Sequence, residues 1–174
     1  MAGQFFEVVT VKPVLRDQCE ITMQLFLHQV WGGPNHNQET MVPSSHPGSF
    51  GAIVINDWPI HDALDPNATV VAHARGMHVQ VDQANTTWYT SMNIEFVDDR
   101  FNGSKLQVMG TTPEKGQWAI VGGTRELAMA YGTIDHNVVR TNPGIDVFRQ
   151  LDIHAFYIPP QMAEYVHVTP TTAN

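Results

Sequence analysis

Two runs within the stretch Ser91–Gly132 decide how this chain is read: Phe101-Asn102-Gly103-Ser104 and Val121-Gly122-Gly123-Thr124. Each reads as a turn between apolar segments, because Asn-Gly and Gly-Gly take positive φ angles at little steric cost. Before the first turn, Ser91-Met92-Asn93-Ile94-Glu95-Phe96-Val97 alternates polar with apolar residues. After it, Lys105-Leu106-Gln107-Val108-Met109 alternates again. A period of two marks a strand with one buried face, so this stretch reads as antiparallel sheet.

The same reading extends outward. Glu20–Val30 is the first main strand, with Ile21, Met23, Leu25 and Leu27 on one face, and it stops at Trp31-Gly32-Gly33-Pro34. Residues 35–48 are polar and carry Pro43 and Pro47, which predicts loop. Further strands are expected at Phe50–Asn56, closed by Asp57-Trp58-Pro59, then at Val70–Val81, Thr87–Val97, Lys105–Met109, Gln117–Val121, Leu127–Arg140 and Asp146–Ile158. Phe5–Val11 reads as a short β arm. The chain therefore divides into an arm (1–18), a barrel (19–158) and a Pro/Thr-containing tail (159–174). Eight short strands with little helix predict an all-β sandwich or closed barrel, and an eight-stranded barrel has room for a small ligand. A polar residue facing inward is then a pocket candidate.

Composition narrows the function. The 174 residues carry a formal charge of −8 and no lysine or arginine run, which argues against nucleic acid as a partner. The single cysteine, Cys19, permits no internal disulfide. The N-terminus shows neither signal peptide nor membrane-spanning segment, so a cytoplasmic location without membrane association is expected. None of the nine histidines forms a His-x-His or His-Glu-x-x-His pair, so no metal site and no cofactor are expected. No nucleophile elbow or phosphate-binding glycine loop is present. Asp57 is open to two readings, a ligand-binding carboxylate or a turn former before Pro59.

Several stretches, taken in order, resemble the plant dirigent family. They are Leu25-Phe26-Leu27-His28-Gln29-Val30; Phe50-Gly51 through Asp57-Trp58-Pro59-Ile60; Ala72 to His78; Asn93-Ile94-Glu95-Phe96 through Phe101-Asn102-Gly103-Ser104; and Val121-Gly122-Gly123-Thr124 through Ala128-Met129-Ala130-Tyr131-Gly132. The resemblance implies an eight-stranded antiparallel β-barrel, a homo-oligomer, a pocket at one mouth, and a role in plant defence or secondary metabolism. It implies either steering of phenoxy-radical coupling in lignan-type biosynthesis or cyclase-like chemistry using pocket carboxylates. The chain is also similar to the N-terminal part of grass proteins in which such a domain precedes a jacalin-like lectin domain, so a lectin domain is a possible C-terminal partner.

Four polar positions of the family's pocket are replaced here, by Gln29, His78, Thr112 and Gly116. Glutamine is no acid or base near neutral pH and glycine has no side chain, so no catalytic residue is assigned. What remains is a hydrogen-bonding pocket. Gln29, His78, Gln80 and Asp82 point inward if the family's parity holds, and with Asp57 and Trp58 they form the candidate ligand-binding set. Amide and imidazole groups beside an indole suit a sugar, with Trp58 and Trp88 as stacking surfaces. The plainer alternative makes Trp88 core and Trp58 a loop anchor. The expected function is non-catalytic carbohydrate binding in the barrel, lectin-like, with dirigent activity on a phenolic as the alternative.

Overall fold

A computed structural model describes residues 17–160. The expected arm at Phe5–Val11, and all of the tail beyond Pro160, lie outside the described residues. Nine strands run in chain order: β1 Cys19–Val30, β2 Gln38–Val42, β3 Ile53–His61, β4 Val70–Gln80, β5 Trp88–Phe96, β6 Lys105–Thr111, β7 Lys115–Thr124, β8 Tyr131–Asn142 and β9 Asp146–Tyr157. From β3 to β9 each strand pairs antiparallel with the next, and β9 pairs with β1 over twelve residues. The pairs Phe26↔His61 and Leu27↔Ile60 join β1 to β3 and close an eight-stranded antiparallel barrel. Among the described residues no helix is long and apolar enough to cross a membrane.

Closure explains two departures from the sequence reading. Residues 35–48 hold a strand, β2, which pairs with the first half of β3 through Gln38↔Asn56 and Thr40↔Val54. Because β1 meets β3 at only two positions, the rest of that edge would be unpaired, and β2 covers it. The third strand also runs through Asp57-Trp58-Pro59 to His61 instead of stopping there. Pro59 is accommodated because β1 pairs with this strand only beyond it, at Ile60 and His61.

The Gly-Gly pair is not a turn. Gly122 and Gly123 lie inside β7, paired with Gln107 and Leu106. Their small size is needed for packing: a Cβ on Gly123 would lie 2.0 Å from the Leu127 carbonyl oxygen and 2.8 Å from the Ala130 methyl. The chain reverses after them, through a 3-10 turn at Arg125–Leu127, so the next strand starts at Tyr131, four residues later than the periodicity suggests. Leu127 and Ala130 are buried and plug that end of the barrel. The Asn-Gly turn behaves as expected, with Gly103 at φ +73° and its N–H donating to the Phe96 carbonyl at 2.8 Å.

The core fills the barrel. Leu25, Leu27, Trp58, Ile60, Ile94, Phe96, Leu106, Trp118, Ile134, Leu151 and Ile153 all point inward and are buried. Fully burying each large side chain is worth about 1.5–3 kcal/mol. Along each strand the inward phase changes character toward one end. Leu25 and Leu27 lead to Gln29, Ala72 and Ala74 to His78, Ile94 and Met92 to Thr90, Ile134 to His136, and Ile153 and Leu151 to Arg149. One end of the barrel is apolar and sealed; the other is polar.

Candidate functional site: a donor-lined barrel mouth

The polar end opens into a cavity of about 320 Å³. Gln29, His78, Thr112 and Arg149 contribute its polar wall, and Val54, Val138 and Val147 its apolar wall. Trp31 and Trp88 also line it, while Gln38, Glu114 and Thr141 complete the boundary. Trp58 is fully buried beneath the cavity, with its ring 4.5 Å from that of His78.

His78 is held from behind. Its Nδ1 lies 2.6 Å from the Thr90 hydroxyl, which meets the Thr112 hydroxyl in turn. The Trp118 Nε1–H donates to Thr112 Oγ1 at 3.2 Å. Every hydroxyl hydrogen finds an acceptor when Thr112 donates to Thr90 and Thr90 to His78 Nδ1. That assignment puts the imidazole proton on Nε2, which is buried and has no protein partner. Burial first, and then the nearby positive charge of Arg149, push the His78 pKa down to about 4. The ring is neutral at neutral pH.

Arg149 enters from β9. Its Nη1 donates to the carbonyls of Pro113 at 2.7 Å and Glu114 at 3.2 Å, and to Nδ1 of His136 at 2.8 Å. Arginine can only donate, so His136 must accept at Nδ1 and carry its proton on Nε2. Burial and the same guanidinium lower the His136 pKa to about 4. Burial also lowers that of Arg149, to about 10, which leaves it charged. Its Nε has no hydrogen-bond partner.

The residues singled out from sequence separate into four groups. Gln29 and His78 line the cavity together, as the parity argument requires. Gln80 is buried but spends its amide on the adjoining turn, donating to the Asn85 carbonyl at 2.8 Å and accepting from the Asp82 N–H at 3.2 Å. Asp82 does not point into the barrel. Its carboxylate caps that turn, accepting the N–H groups of Ala84 at 2.8 Å and Asn85 at 3.0 Å, and these bonds hold its pKa below the usual range. Asp57 lies on the outer surface, hydrogen-bonded to His73 at 2.7 Å and ion-paired with Arg75 at 3.1 Å. Burial opposes ionisation there, but those bonds outweigh it and keep the carboxyl below its ordinary value. The two tryptophans exchange the places given by the plainer alternative: Trp58 is core and Trp88 faces the cavity.

Gly116 supplies no group to the mouth, and the space a side chain would take is filled. A Cβ there would lie 3.1 Å from His136 Cε1 and 2.9 Å from Pro113 Cγ. Arg149 and His136 were not singled out from sequence. Their signal was present, since both occupy the apolar phase of their strands, two residues from Leu151 and Ile134. Among the described residues no group of three metal-ligating side chains comes together.

Comparison with known proteins places this fold. The family model for dirigent-like protein matches residues 20–156. Pterocarpan synthase 1 of Glycine max is 29% identical over 129 residues, covering 67% of this chain and 67% of that protein. Dirigent protein 8 of Arabidopsis thaliana is 28% identical over 120 residues, covering 65% and 68%. The solved structure of a pterocarpan synthase dirigent protein superposes with a TM-score of 0.77 at 21% identity, covering 86% of this chain and 91% of that one. With its closed barrel and polar mouth, the chain belongs to the dirigent family.

Proposed function

We propose that this domain binds a small hydroxylated ring compound, of which a sugar is the leading candidate, at the barrel mouth and does not transform it. The observation that carries this reading is the chemistry of the polar wall. It offers amides, hydroxyls, the neutral imidazole of His78 and one guanidinium, itself bonded to the imidazole of His136, and no buried carboxylate. Neither imidazole takes a proton readily, with both pKa values near 4, so proton transfer at neutral pH has no suitable donor. Trp31 and Trp88 offer flat apolar faces, and Gln29, Thr112 and Arg149 offer hydrogen bonds, a combination that suits a ring with hydroxyls on its edge and C–H groups on its face.

Calorimetric titration with a panel of plant-wall mono- and disaccharides tests the reading, and saturable binding that Gln29→Ala weakens is expected. Dirigent activity on phenoxy radicals is the second reading, favoured by relatives that are themselves dirigent proteins and pterocarpan synthases. Incubation with a monolignol and a separate oxidase is expected to give racemic products. An enantiomeric excess would replace the first reading with the second.

We also propose that the domain works as a homo-oligomer. The outward residues Ile55, Met77, Ser91, Met109 and Ala119 are cross-strand neighbours in one row over five strands. Ile55, Met77 and Met109 in that row are well exposed. An apolar belt of this kind, interrupted only by Ser91, marks a surface for association.

A further inference from the structure

We propose that the cavity is an anion-recognition site, in which Arg149 and the Nε2–H of His78 hold the carboxylate of a small ring compound. The proposal rests on the ligand-binding reading above and specifies the ligand's chemistry.

Two independent observations lead to it. The first is a buried cation with no carboxylate hydrogen-bonded to it among the described residues, the Glu114 charge acting on it only through space. Arg149 is almost wholly buried, lines the cavity, and bonds only to carbonyl oxygens and a neutral imidazole. All the hydrogen bonds it makes among the described residues use Nη1, while Nε has no acceptor. The anchored Nη1 fixes the plane of the guanidinium, so the remaining donors are presented in a set direction. A buried guanidinium left without an anion is costly, and a carboxylate is the group that matches its planar fork.

The second is an excess of donors. The hydroxyl relay from Trp118 through Thr112 and Thr90 occupies His78 Nδ1 and leaves Nε2–H as a donor with no protein acceptor. Gln38 behaves likewise, because its Oε1 accepts the Trp58 Nε1–H at 3.1 Å and its amide hydrogens remain. The one carboxylate on the boundary, Glu114, is exposed at the rim and approaches Arg149 through its backbone carbonyl. A neutral polyol would satisfy these donors, and could place its hydroxyl hydrogens on Gln29 or Thr141, but would bring no negative charge to the guanidinium. A carboxylate brings acceptors alone.

An acidic sugar and a phenolic acid share this group, and the experiment separates them. The probes are galacturonate with galacturonamide, and 4-hydroxycinnamate with 4-hydroxycinnamide, with galactose as a neutral control. Binding to the full chain is measured by calorimetry at pH 7.5. The expected result is that the acid of one pair binds about tenfold or more tightly than its amide, as charge-assisted bonds require. The pair that shows the preference names the source. Arg149→Met is expected to bring the ratio close to one. Arg149→Lys, which keeps the charge and loses the fork, is expected to weaken the acid and leave the amide unchanged. The acid-to-amide ratio of the unaltered protein decides the matter even if Arg149→Met does not fold. Equal affinity for acid and amide, binding of galactose alone, or a preference that survives Arg149→Met would overturn the anion site while leaving ligand binding intact. Binding of no probe would overturn both.

Discussion

Arg149 stands two residues from Leu151 in the inward phase of β9, where an aliphatic side chain would be expected, and carbonyls held by the neighbouring loop keep it there. Its charge acts on both imidazoles. His78 and His136 each hold a pKa near 4 against an ordinary 6.5, chiefly through burial and then through Arg149. The sign follows from linkage. Between about pH 6.5 and pH 4 the unfolded chain binds protons that the folded barrel refuses. The stability owed to each neutral ring is complete above pH 6.5 and is lost as pH falls toward 4, by about 3 kcal/mol for a shift of this size. Thermal melts from pH 7 to pH 4 are expected to show a steep fall in Tm. His78→Gln should flatten part of it, and an unchanged slope in that variant would contradict a buried neutral His78.

The strand β7 shows how an element can be misread from composition. Gly122-Gly123 resembles a turn, but both residues are extended and their missing side chains make room for neighbours. The neighbours differ in kind. A Cβ on Gly123 meets the Leu127 carbonyl at 2.0 Å, which is backbone, whereas one on Gly122 meets Gln107 Oε1 at 2.5 Å, the end of a flexible side chain. Gly123→Ala is therefore expected to cost about 3 kcal/mol or more in denaturant unfolding, as overpacking does when the backbone must shift. Gly122→Ala is expected to cost about 1 kcal/mol or less, because Gln107 can turn away. Similar costs for the two would show that the Leu127 turn yields easily. The strand β2 was hidden for the opposite reason. Its sequence, Gln38-Glu39-Thr40-Met41-Val42, lies in a polar, proline-flanked segment, and it is a strand because β3 offers an open edge.

For the barrel as a body, the outer belt and the inner cavity make separate demands. Met77 lies second in the belt, between Ile55 and Ser91, and is about half exposed in the single chain. Sedimentation of the protein is expected to give a mass above the monomer, and Met77→Glu is expected to lower it without unfolding the barrel. A monomeric mass for the unaltered protein would remove the belt's role. Ligand affinity should be unaffected by Met77→Glu, because the residue faces away from the cavity, and calorimetry on the variant checks this independence.

Period-two alternation was enough to find all eight barrel strands, with displaced ends in β3, β7 and β8, and to put Ile21, Met23, Leu25 and Leu27 on the inward face, because burial on one face of a strand is written directly into adjacent residues. The resemblance to the dirigent family, combined with that parity, put Gln29 and His78 at the mouth. Closure decided the rest. Which edge stays open, and so where β2 forms, depends on β1 meeting β3 at only two positions, and no local pattern carries that information. Asp57 and Asp82 look like ligand residues in one dimension, yet one pairs with His73 and Arg75 on the outside and the other caps a turn. Arg149 and Gly116 are 33 positions apart in the chain. Only the folded barrel sets a buried guanidinium at the mouth against His136 and beside Gly116, which has no side chain, because strand pairing, unlike periodicity, acts between residues distant in sequence.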